Sequence, residues 1–121
     1  MQVDGRREKV RYIGVDTPES VKPGAPVQCF AKRAARFNER LVEGERVRLV
    51  LDLEARDRYG RLLAYVYRDR DDLFVNAALV RRGYAVALTV PPNVEHAGEL
   101  RRLAAAARRD GRGLWSNCGS S

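Results

Sequence analysis

The chain has 121 residues and a mass of 13.6 kDa, enough for one domain with a single core. Hydrophobic residues make up 45% and charged residues 32% of it, which excludes a disordered or fibrous chain. Lys and Arg outnumber Asp and Glu by 23 to 16, a net charge of +7 with a pI near 10.0. Such a balance points to a polyanionic partner such as nucleic acid, with solubility as the plainer explanation.

In chain order, Lys9 to Val15 reads as a strand with apolar residues on both faces, so it is not expected at an open sheet edge. Thr17-Pro18 stops it, and Ser20 to Val27, with Pro23, Gly24 and Pro26, is a loop. Phe30, Ala34, Phe37 and Leu41 form one apolar stripe, which predicts a helix over Ala31 to Val42 closed by Gly44. Val47, Leu49, Leu51 and Leu53 alternate with Arg48, Val50 and Asp52, a half-buried strand. Arg56 to Gly60 is a turn, and Leu62 to Tyr67 a second strand. Asp72 is read as the N-cap of a short helix from Leu73 to Arg82, ended by Gly83. Tyr84 to Leu88 is a last short strand, Pro91-Pro92-Asn93 breaks the chain, and a helix follows from about Glu95 to Arg109 on Leu100, Leu103, Ala104 and Ala107. With no repeat or linker, residues 1–121 form one α+β domain built on a small barrel. No apolar run reaches the ~18 residues that span a bilayer, and Met1 to Gly5 holds no apolar signal region.

Two cysteines are too few for a disulfide scaffold or a zinc site. Cys29 and Cys118 each fall just outside a periodic segment, where a bridge would tether both ends of the folded region. The alternative is two free thiols; the placement favours the bridge, and with it an oxidising compartment.

The densest polar cluster is Arg11, Asp16 and Glu19 in RYIGVDTPES. Two carboxylates flanking a rigid Thr-Pro can face one small volume and suit a hard cation such as calcium, which takes ~6–8 oxygens. Alone, Asp-Thr-Pro-Glu reads first as a turn. Arg61 opens a strand just after Gly60, where a guanidinium fork suits phosphate oxygens, although a solvated arginine at a hairpin end is the commoner case. His96, the only histidine, is read as standing at a helix start and Trp115 as anchoring the tail.

Taken together, VDTPE, DRYGRLLAYVY, VNAALVRRGYA and the closing GLW resemble the thermonuclease (staphylococcal nuclease-like) family from about Val3 to Trp115. The resemblance implies a five-stranded OB-type barrel with three helices and calcium-dependent hydrolysis of DNA and RNA. Carried onto this chain, it makes Arg11 and Arg61 phosphate clamps, Asp16 a calcium ligand with the Thr17 carbonyl beside it, and Glu19 the base for the attacking water. Arg58 and Tyr59 become contacts to substrate phosphate, although lysine is common at the position of Arg58. VQCF and LWSNC further resemble bacterial secreted members, in which this cysteine pair is often bridged.

The chain departs from the family at its start. The family's Asp-Gly-Asp-Thr turn carries a second acidic calcium ligand, whereas Val3-Asp4-Gly5 is followed by Arg6 and matches a later hairpin. The domain is therefore expected to lack a first strand relative to the family, to hold calcium weakly and to expose a sheet edge open to self-association. Leu88 and Val90 stand where family members often place tyrosines, so base stacking is not expected there. A rival reading follows: an OB module that holds nucleic acid by charge and does not cut it.

Overall fold

The computed structural model describes residues 1–3, 5–17 and 29–118. In chain order the elements are β1 (Gln2–Val3), β2 (Arg6–Arg7), β3 (Val10–Tyr12), β4 (Val15–Asp16), α1 (Ala31–Val42) and β5 (Val47–Val50). There follow β6 (Leu62–Arg68), β7 (Leu73–Phe74), α2 (Val75–Arg81), β8 (Val86–Ala87), α3 (Ala97–Arg109) and α4 (Leu114–Asn117). β6 is the central strand. β3 runs parallel to it, with Arg11 opposite Leu63, while β5 and β7 pair with it antiparallel. β1–β2 and β4–β8 form two small antiparallel pairs. The arrangement is α+β and OB-like with three main helices; among the described residues its ladders do not close into a barrel.

The strand expected from Lys9 to Val15 is broken in two by Gly14, which sits at φ 81°. That left-handed conformation favours glycine, and a Cβ there would also displace the end of the Leu100 side chain. The break moves the chain from the β6 ladder to the β8 ladder, with Val15 opposite Ala87 and Asp16 opposite Val86. Among the described residues β3 pairs only with β6, so it lies at the end of its sheet, contrary to expectation. Val10 and Tyr12, on one of its faces, pack against the core, while Arg11 on the other lines the cavity described below.

α1 matches its predicted span, with Ala31, Ala34 and Phe37 buried. Phe37 stacks on Tyr84 with ring centroids 4.1 Å apart. The core gathers Val15, Phe37, Val66, Val75, Leu79, Val80 and Leu100 between sheet and helices. Two expectations are corrected. The strand after α1 ends at Val50, leaving Leu51 47% and Leu53 82% exposed. Asp52 ends it: its Oδ1 takes the Leu53 amide at 2.8 Å, while its Oδ2 accepts from the Tyr65 hydroxyl at 2.7 Å and the Glu95 amide at 3.1 Å. Asp72 is not an N-cap; it sits at φ 57° and pairs with Arg48 at 2.7 Å, while Leu73 and Phe74 form β7 and the helix begins at Val75.

Asn76 on α2 is fully buried and ties α2 to β6 and to the break between β3 and β4. Its Oδ1 takes the Val66 amide at 2.9 Å, and its Nδ2 donates to the carbonyls of Ile13 at 2.8 Å and Ala64 at 3.4 Å. Asn76→Ala strands those groups in the core and is expected to cost about 2 kcal/mol. The check is a urea midpoint that falls at constant slope; an unchanged midpoint would show that these bonds contribute nothing net.

The expected disulfide is present: Cys29 is bonded to Cys118 across 89 positions, with Cα atoms 5.8 Å apart. It joins the start of α1 to the end of α4. No helix among the described residues is long and apolar enough to cross a membrane.

Candidate active site

The turn before β6 is built around one carboxylate. Asp57 Oδ1 accepts the amides of Tyr59 and Arg61, each at 2.9 Å, and its Oδ2 accepts from Arg61 Nε at 2.7 Å. Gly60, at φ 79°, closes the turn by donating its amide to the Asp57 carbonyl at 3.0 Å. Arg61 is thus held through Nε, which leaves the Nη edge of its fork for another ligand. Partial burial works to raise the Asp57 titration, but the amides of residues 61 and 59 and the Arg61 guanidinium outweigh it, holding the carboxyl below its ordinary range.

Arg11 reaches the same region from β3. Its Nη1 donates to the carbonyls of Tyr12 at 3.0 Å and Val15 at 2.6 Å, both at the break around Gly14. Its Nη2 lies 3.7 Å from Asp16 Oδ1. Both hydrogens of Nη1 are therefore committed to main chain, while Nη2 lies beside the Asp16 carboxylate.

Arg11, Arg58, Tyr59 and Arg61 line one cavity of about 230 Å³, with Leu88 and Val90 on its wall. Tyr59 is 68% exposed. The Arg58 guanidinium lies 4.9 Å and that of Arg61 5.6 Å from its ring centroid, so one aromatic ring serves two cations. Thr17 lines a neighbouring cavity that shares Arg11 with the first. Asp16 is exposed and enters through its contact with Arg11. The structure thus brings together Arg11, Arg58, Tyr59, Arg61 and Asp16, and places Thr17 on the other side of Arg11. Glu19 lies outside the described residues.

Asp16 is the right kind of donor for calcium, a hard oxygen. No three acidic, histidine or cysteine side chains converge among the described residues, so these residues alone supply only part of the oxygen set that such an ion takes. His96 precedes α3, with its Nδ1 3.5 Å from Glu99, as expected for a helix start.

Two residues that shape the cavity escape sequence reasoning. Asp57 could have been found from its spacing to Arg61, since an aspartate opening a four-residue turn has its own amides within reach. Asn93 reads only as a chain breaker, yet it is 6% exposed and clamps the opposite loop. Its Oδ1 takes the Glu54 amide at 2.8 Å, and its Nδ2 donates to the Glu54 carbonyl at 2.9 Å. An asparagine paired with a backbone amide and carbonyl has no signature in the local sequence.

The family model described as Staphylococcal nuclease homologue matches residues 9–117. The thermonuclease of Staphylococcus hyicus is 39% identical over 114 residues, covering 94% of this chain and 66% of the relative. The thermonuclease of Staphylococcus intermedius is 42% identical over 112 residues, 93% and 66% respectively. Endonuclease YncB of Bacillus subtilis is 38% identical over 118 residues, 96% of this chain and 55% of the relative. The chain therefore spans just under two thirds of the thermonucleases it matches.

Proposed function

The chain belongs to the staphylococcal nuclease family, and on that premise we propose that it is a metal-dependent endonuclease that hydrolyses phosphodiester bonds in DNA and RNA. The observation that carries this reading is the arrival of Arg11, on β3, and Arg61, on the turn before β6, at one cavity, each guanidinium held by only part of its donor set among the described residues. Two forks suit the non-bridging oxygens of one phosphodiester, and each adds donors where charge grows on the pentacoordinate phosphorus.

Glu19 takes a proton from water as its oxygen bonds to phosphorus, and the bond to the leaving oxygen breaks, with that oxygen protonated from solvent. A calcium ion, held by Asp16 and the Thr17 carbonyl with substrate and water oxygens completing its shell, would polarise the phosphoryl group when bound. Arg58 and Tyr59 steady the neighbouring phosphate. None of these groups reads a base edge, so cutting has little sequence preference. The Cys29–Cys118 bridge favours secretion or the cell envelope, where disulfides persist.

The test is digestion of plasmid and single-stranded DNA and of RNA by the purified chain with calcium, then with a chelator. Calcium-dependent fragments that vanish on chelation are the expected result. Salt-sensitive binding without any cutting would instead establish the binding module.

A further inference from the structure

A second basic concavity lies beyond the catalytic cavity, between β8 and one face of α3. It is an open, shallow depression of about 660 Å³ lined by Val86, Ala87, Arg101, Arg108, Arg109 and Trp115, with alanines between the arginines. Positions 101, 104, 105, 108 and 109 fall on one helix face, and Arg101 and Arg108 stand about 10 Å apart along the axis. No carboxylate lines it among the described residues. The Arg108 guanidinium rests 5.3 Å from the Trp115 ring centroid, which holds that cation at the groove. Arg109 keeps a looser contact with Asp110, at 3.6 Å.

The groove and the catalytic cavity share one stretch of chain. Val86 and Ala87 line the groove, whereas Leu88 and Val90 line the cavity that holds Arg11 and Arg61. Thr89, between them, takes a hydrogen bond on its Oγ1 from Arg101 at 3.0 Å. Val86 also pairs with Asp16 across the β4–β8 ladder.

We infer that this groove seats a single strand of nucleic acid: the part of the substrate that continues past the cleaved phosphate over residues 86–90. The inference rests on the nuclease reading for its choice of polymer. Charge complementarity and continuity with the cavity carry it. A small-residue floor bordered by cations accepts a backbone without regard to base, as single-strand grooves do.

The test measures binding of a fluorescent 20-nucleotide oligothymidine in chelator, across a range of salt, so that no cutting is needed. The triple variant R101Q/R108Q/R109Q is expected to flatten the slope of log K against log salt by about 2, and to weaken binding at least about tenfold at low salt. The matching triple lysine variant should restore most of the slope. An unaltered thermal midpoint in both variants shows that the fold is intact. With calcium, kcat/KM should fall for the 20-mer and stay unchanged for a dinucleotide, which is too short to reach the groove.

An unchanged salt slope in the glutamine variant overturns the inference, as does poly-glutamate competing as well as DNA at equal charge. A chain that cuts nothing yet shows the expected slope change overturns the nuclease reading alone and leaves the groove standing.

Discussion

Arg61→Ala is expected to lower kcat/KM on single-stranded DNA by at least about 100-fold, or about 2.7 kcal/mol of transition-state stabilisation. The size of the effect follows from how the side chain is held. A solvated arginine would have to be ordered at each turnover, whereas Asp57 already fixes Nε and the backbone turn beneath it. Arg61→Lys keeps the charge and loses the fork, so it should recover only part of the rate.

Glu19→Gln should also lose digestion, but binding of uncut DNA in chelator distinguishes the two. The Glu19 variant keeps that affinity, while the Arg61 variant loses one phosphate contact and its share of the salt slope. Because the Asp57 carboxyl titrates below its ordinary range, its grip on Arg61 is intact above that range and fails only as pH falls through the lowered value. The neutral-pH rate should therefore carry no step from Asp57. A loss of less than threefold in Arg61→Ala would show that Arg61 is not a clamp.

How far the sequence discloses this molecule depends on the range of the interaction involved. α1 is legible because its stripe at Phe30, Ala34, Phe37 and Leu41 and its closing Gly44 are local signals, and the helix spans the predicted residues. Leu51 and Leu53 continue a perfect alternation, yet the strand stops at Val50, because Asp52 is claimed by Tyr65 and Glu95 from elsewhere in the chain. Asp72 has the look of a cap until Arg48, 24 positions away, takes its carboxylate. The four-residue α4 carries too short a pattern to be read and gives no sequence signal of its own.

The same holds for the site. The motif points to Arg11, Asp16, Arg58, Tyr59 and Arg61, and the structure supplies what a motif omits: the commitment of Arg11 Nη1 to the Tyr12 and Val15 carbonyls, and of Arg61 Nε to Asp57. Asn76 and Asn93 are invisible for the converse reason. Their partners are backbone groups, which every residue carries, so no residue type elsewhere in the sequence betrays them.

Replacing Cys29 and Cys118 together by serine is expected to lower the unfolding free energy by about 2–5 kcal/mol and the thermal midpoint by on the order of 10 °C. Two effects combine. The bridge closes a loop of 89 positions, nearly three quarters of the chain, and so restricts the unfolded state more than a short link would. It also anchors a helix start that is poorly provided for: Phe30, at the N-cap of α1, sits at φ 70° with no side-chain cap, a conformation an L-residue holds only when its surroundings impose it. Without the bond, α1 should fray from that end, and hydrogen exchange at Ala34, whose amide bonds to the Phe30 carbonyl at 2.9 Å, should speed up more than exchange at Leu79 in α2. Reduction of the unaltered chain should reproduce the midpoint of the double-serine variant, and reductant should leave the variant itself unmoved. A drop of less than about 1 kcal/mol would mean that the ends of the folded region stay together without the bond, and that packing of Phe30 and Phe37 on Tyr84 suffices to hold α1 in place.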